Sequence, residues 1–207
     1  MELLAGILNQ FINVGVIALL IVFQPEIRKF LLYLGKGGQI NKSSFWIRLF
    51  NRKYENKELF EACLPEIIIA LDNLKQNRLG AIIVFSQTSR MQMIAATGVL
   101  LESNISAKLL ESIFEKNSPL HDGAVIISDF KIVAAGCVLP VSDNNEISAR
   151  LGLRHRAAIG ITEASDAVVL VVSEERGTLS YARNGRIIQD ISNDEAKVLL
   201  QKYFEVE

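Results

Sequence analysis

Only two histidines occur in the 207 residues, and both sit in dense polar clusters. His121 lies in Ser118-Pro-Leu-His-Asp-Gly-Ala124, directly before an apolar run that reads as a strand. His155 lies in Gly152-Leu-Arg-His-Arg-Ala-Ala158, at the expected start of a short helix. A third cluster, Ser173-Glu-Glu-Arg-Gly-Thr178, follows a run that reads as a fully buried strand. Arg154 and Arg156 offer planar, permanently charged donors suited to phosphate oxygens, and a helix beginning there adds unpaired backbone N–H groups for the same anion. Asp122, Glu174 and Glu175 are hard oxygen ligands fit for Mg²⁺ or Mn²⁺, with His121 a nitrogen ligand more suited to manganese. Gly123 lets a ligand approach the main chain closely. The combination points to a metal-nucleotide site. Taken singly each piece is weak: His-Asp-Gly is more often a turn, Arg-His-Arg a solvated helix end, and a Glu pair after a strand a surface turn.

The clusters need elements to hold them. Apolar spacing predicts helices over 45–50 and 57–77, the second broken only by Pro65. Residues 80–85 form a short continuous apolar run between turn residues, the pattern of a buried strand. Residues 106–114 read as a helix with Ser106 as N-cap. Strands are expected over 123–128, 131–139, 167–173, 179–182 and 186–189, the last two joined by an Asn184-Gly185 turn. A short helix over 154–161 and a closing helix over 193–204 complete the order. No repeat is present. The expected fold is α/β: a single globular domain with a central mixed β-sheet flanked by helices, preceded by an N-terminal transmembrane helix.

That last expectation comes from where the hydrophobicity sits. Half of the residues are hydrophobic and the mean hydropathy is +0.27, which excludes disorder. From 3 to 23 the chain runs 21 residues without a charge, long enough to cross a hydrocarbon core of about 30 Å. Arg28, Lys29 and further basic residues follow it, and only Glu2 precedes it, so the remaining chain should lie on the cytoplasmic side of a cell membrane. A cleaved signal would want a basic start and small residues at a cleavage site, and neither is present. A buried or interfacial helix is the other alternative, because Asn9, Gln10 and Asn13 interrupt the run; they could also face a partner helix. Residues 1–57 carry net +5 and residues 58–207 net −6, so the total of −1 hides two opposite halves. The basic part suits an anionic inner leaflet, and the small total argues against a nucleic-acid binder working through a global basic field. Cys63 and Cys137 are far apart and each inside an apolar run, as in a reducing compartment. The divisions expected are 1–34 for the membrane helix and its end, 35–55 for a basic linker, and 56–207 for the domain.

Taken jointly, with their spacing, the clusters are specific. His121-Asp-Gly-Ala124, then Gly152-x-Arg-His-Arg156, then Ser173-Glu-Glu175 resembles the diadenylate cyclase domain, and Pro119-Leu-His-Asp-Gly-Ala-Val-Ile-Ile127 is similar to its membrane-anchored bacterial subfamily. The resemblance runs from about Val22 to Ser180. It implies condensation of two ATP into cyclic di-AMP with release of two pyrophosphates, across two facing half-sites, and hence a homodimer, with Mn²⁺ or Mg²⁺ as cofactor. It implies that Asp122 helps to activate the ribose 3′-hydroxyl, that Gly123 and Ala124 touch the nucleotide through the backbone, and that Arg154 and His155 hold the phosphates, with Leu153 and Arg156 beside them. Ser173 and Glu174 would line the nucleotide site, Leu139 would pack on the adenine, and His121 and Glu175 would bind the metal. The sequence departs from the family at Leu153, where Thr is usual, and at Val138, where an aromatic is common; the anchored subfamily has three membrane helices where this sequence shows one span. These softened positions favour the alternative of a non-catalytic ATP- or cyclic-dinucleotide-binding module that regulates a membrane partner.

Overall fold

The protein is seen in a computed structural model that describes residues 42–86, 91–144 and 151–205, together with Gly15, with side chains described from Glu58 onward. The uncharged stretch 3–23 lies outside these residues, and among the described residues no helix is long and apolar enough to cross a membrane. The chain divides into two compact units, 1–52 and 53–207, and the sheet belongs to the second.

Among the described residues, helix α1 (Lys42–Gln76) runs without a break across residues 51–56, so the helices expected over 45–50 and 57–77 are one; it contains Pro65 and begins inside the stretch read as a linker. Its buried face, Phe60, Leu64, Ile67, Leu71 and Leu74, has the alternating four- and three-residue spacing of a helix stripe laid on a sheet. This packing over several turns outweighs the single backbone hydrogen bond that a proline removes.

Among the described residues the sheet has seven strands: β1 (Ala81–Ser86), β2 (Val99–Asn104), β3 (Ala124–Ser128), β4 (Lys131–Cys137), β5 (Val168–Val172), β6 (Leu179–Arg183) and β7 (Arg186–Ile191), in the order β2-β4-β3-β1-β5-β6-β7. Among the described strands only β1 and β3 pair in parallel; the other pairs are antiparallel, so the sheet is mixed as expected. Period-two alternation splits each central strand between two cores. Ala81, Ile83 and Phe85 face one layer, formed by α1, α3 (Ala107–Phe114) and α5 (Asn193–Glu205); Ile82 and Val84 face the other, formed by the short α2 (Gln92–Ala95) and α4 (Leu153–Ala164). Ser106 caps α3, its hydroxyl accepting from the Leu109 N–H at 3.3 Å, and Asn184-Gly185 makes the expected tight turn with both φ angles positive.

Two elements leave no readable pattern in the sequence, the edge strand β2 and the one-turn α2. The antiparallel and parallel pairings bring the start of β1, the start of β3, the end of β4 and the end of β5 to one end of the sheet. The N-terminus of α4 lines a cavity there together with residues of these four strand ends.

Candidate active site

This end of the sheet encloses a cavity of about 730 Å³, within the range that holds a nucleotide-sized ligand. The turn before β3 contributes Asp122, Gly123 and Ala124. The start of α4 contributes Leu153, Arg154 and His155, and the turn after β5 contributes Ser173, Glu174 and Glu175. Leu139, just past β4, forms a nearly buried apolar wall. Three clusters separated by about thirty and twenty residues in sequence thus share one space.

Two expected residues stand apart. Arg156 does not line the cavity, because residues two apart on a helix point about 200° from each other, and Arg154 takes the cavity side. Its backbone carbonyl instead accepts from the Ser142 N–H at 3.1 Å, holding α4 to the chain after β4. His121 likewise lies outside the lining; its Nδ1–H donates to the Ser118 carbonyl at 2.6 Å, so Nε2 is the nitrogen left for any further partner. Arg176, by contrast, lines the cavity, although only its membership of the third cluster marks it in the sequence. The rest of that turn is tightly closed, with the Ser173 hydroxyl accepting from the Arg176 N–H and the Ser173 carbonyl accepting from the Gly177 N–H at 2.8 Å.

The cavity favours anions at one side. Gly152, the N-cap of α4, is extended and has no side chain to cap the first turn, so N–H groups there remain for a ligand oxygen. Arg154 adds a fixed cation, its Nη1 donating to Glu174 Oε2 at 2.6 Å. A pair this exposed contributes little to stability; its effect is to aim the guanidinium.

His155 is only 5% exposed, and its Nε2 is buried without a hydrogen-bond partner among the described residues. Burial, reinforced by Arg176 and Arg154, pushes its imidazole below the ordinary 6.5, while Asp190 and Glu175 pull weakly the other way. His155 is therefore neutral at physiological pH, and the positive charge of the site belongs to the arginines. The linkage has a definite sign. Below 6.5 the unfolded imidazole takes a proton that the folded one resists, so stability is full above that value and falls as pH drops through the folded one. Melting curves between about pH 8 and pH 5 should show a steeper acid decline for the wild type than for His155→Gln; equal slopes would contradict this account. The Cys137 thiol, also in the lining, is pushed by burial to about 11 and stays protonated and unreactive near neutrality.

Among the described residues no three His, Cys, Asp or Glu side chains form a metal cage. Magnesium-type sites at phosphates usually need only one or two protein ligands, the rest coming from water and substrate. The Glu175 carboxylate in the lining and the imidazole of His121, next in sequence to the lining residue Asp122, beside a cationic anion site, fit a divalent cation of that kind.

Fold and site together define a nucleotide-binding α/β domain. Residues 68–187 match the family model described as DAC, DisA bacterial checkpoint controller nucleotide-binding. The chain is 36% identical over 201 residues to "Cyclic di-AMP synthase CdaA" of Bacillus subtilis, covering 97% of this chain and 70% of that protein. It is 38% identical over 196 residues to a "Diadenylate cyclase" of Listeria monocytogenes, covering 95% and 68%. Among solved structures, a double mutant of DacA from Staphylococcus aureus matches with a TM-score of 0.68 and 44% identity, over 70% of this chain and 96% of that one. A hypothetical membrane spanning protein from Bacillus cereus matches with a TM-score of 0.60 and 31% identity, over 89% and 96%. The chain belongs to the diadenylate cyclase family.

Proposed function

We propose that this chain condenses two molecules of ATP into cyclic di-AMP and two pyrophosphates. The observation that carries this is the convergence of Asp122, Arg154 and an uncapped helix N-terminus on one nucleotide-sized cavity. Each ribose 3′-oxygen attacks the α-phosphorus of the other ATP, its proton is lost, and the bond to the departing pyrophosphate breaks. One half-site presents one nucleotide, so the ring closes only between two chains facing each other. The exposed apolar side chains Val138, Val141 and Leu153 at the cavity support that reading, since a facing copy would cover them.

Within each half-site the work is positioning and charge stabilisation. Arg154 and the first-turn amides of α4 receive phosphate oxygens, with the neutral His155 ring behind them. Asp122 orients the 3′-hydroxyl; a carboxylate is a weak base toward an alcohol, so hydrogen-bond orientation matters more than outright proton abstraction. Leu139 packs on the base, Gly123 and Ala124 admit the nucleotide against the main chain, and Ser173 and Glu174 border it. Mn²⁺ or Mg²⁺, held by His121 Nε2 and Glu175, would disperse negative charge on the phosphates. We further propose that residues 3–23 anchor the chain in a bacterial cell membrane with the domain on the cytoplasmic side. Confinement to that surface raises the encounter rate of facing domains, and a membrane protein could regulate it.

The test is incubation of the full chain with ATP and either cation, with chromatography for cyclic di-AMP. Product is expected, with specific activity rising with protein concentration; a rate per chain that stays flat through a demonstrated dimer-to-monomer transition would exclude facing half-sites. Tight nucleotide binding without pyrophosphate release would instead establish the binding-module alternative, which Leu153 in place of the usual Thr and Val138 in place of the common aromatic favour.

A further inference from the structure

We propose that Gly80 is a positioning residue for Arg154: the Arg154–Glu174 ion pair lies across its Cα, and only the absence of a side chain there lets the guanidinium take its aim. The inference rests on the nucleotide-site reading above. Gly80 is buried immediately before β1, and the antiparallel pairing of Ala81 with Val172 sets it opposite Ser173, the neighbour of Glu174. A Cβ at Gly80 would stand 2.6 Å from Arg154 Nη1, 2.8 Å from Arg154 Cζ and 2.8 Å from Glu174 Oε2. Gly80 is not among the glycines with positive φ, so its backbone suits any residue and the requirement is purely steric. All three atoms are ends of flexible side chains, not main chain.

These facts separate stability from function. A methyl group at Gly80 is accommodated when the ion pair retreats by about 1 Å, towards the ordinary contact distance of roughly 3.5 Å. That retreat costs the fold little, because an exposed ion pair contributes little to it. It does move the planar fork. Glu174 engages Nη1, and the remaining N–H groups of the fork are those available to an oxyanion in the same cavity. Planar, bidentate recognition depends on the direction of that fork, so a displaced guanidinium meets the phosphates badly.

The experiment compares full-length wild type, Gly80→Ala, Arg154→Lys and the double variant. It measures KM and kcat for ATP, Kd for a non-hydrolysable ATP analogue, and Tm. Gly80→Ala should raise KM and the analogue Kd about tenfold or more, the loss of a charge-assisted contact, while Tm stays within about 3 °C. In the Arg154→Lys background the same change should shift KM less than about twofold, because a compact ammonium has no fork to misdirect. Wild-type KM and Kd in Gly80→Ala, an equal penalty in both backgrounds, or loss of the fold would each overturn the inference alone. A wild-type chain that binds no ATP analogue overturns the nucleotide-site reading, and this inference with it.

Discussion

Asp122→Asn should reduce cyclic di-AMP formation by about 10³-fold or more while ATP binding changes little. The substitution keeps the shape of a side chain at the cavity wall between the β3 turn and the α4 terminus. It removes a charge that the attacking hydroxyl uses and the bound triphosphate does not. Ground-state binding is supplied elsewhere, by Arg154, the uncapped first turn of α4 and the Leu139 wall. An interaction made only on the way to the transition state lowers kcat without a matching change in substrate affinity. The decisive pair of measurements is product formation by chromatography and analogue affinity by calorimetry on the same preparation. A full rate would show that Asp122 is not the residue orienting the hydroxyl, and a parallel collapse of binding would show that it acts on the ground state.

Sequence made the central part of this arrangement legible because the central strands are buried on both faces. Val168–Val172 and Ala81–Ser86 are continuous apolar runs, and such runs can only be core. The edge strand Val99–Asn104 gave no such signal: its side chains are mostly exposed, and a register shift between Leu100 and Ser103, with Glu102 at φ 47°, breaks any alternation. The helix Gln92–Ala95 is one turn long, too short for a periodic pattern. The gap between the helices expected over 45–50 and 57–77 misled in the opposite direction, since residues 51–56 are mostly polar and break the apolar spacing, yet α1 runs through them. In the site, motif spacing found the three clusters but not which side of each faces inward. Helix geometry turns Arg156 away from the cavity that Arg154 enters, and the turn after β5 brings Arg176 in. Gly80 could not have been picked out, because its neighbours in space come from clusters more than seventy residues away.

Gly123→Ala should fail where Gly80→Ala succeeds, and the contrast separates two reasons for a glycine beside the same ligand. A Cβ at Gly123 would lie 2.5 Å from the Gly136 carbonyl carbon, 2.7 Å from Gly136 Cα and 2.9 Å from the Cys137 nitrogen. These are main-chain atoms of β4, paired there to β3 through Ala124 and Cys137, so no side chain can swing aside. Gly123 also has φ +154°, which L side chains rarely adopt. Overpacking of this kind costs about 1–3 kcal/mol, and an unfavourable φ adds about 1 kcal/mol. For a folded unit of this size that corresponds to a Tm lower by roughly 10 °C. Activity should fall further than stability, since Asp122 and Ala124 flank the strained residue and a displacement of about 1 Å can cost on the order of 10²-fold in rate. Gly136→Ala is the matched control: its φ is +66° but the nearest atoms lie 3.8 Å from a new Cβ, so it carries backbone strain without the collision. Thermal denaturation should rank Gly123→Ala well below Gly136→Ala. Equal melting temperatures would mean that β4 yields to the methyl group, and that the close approach of the two strands is not what fixes Asp122 in the cavity.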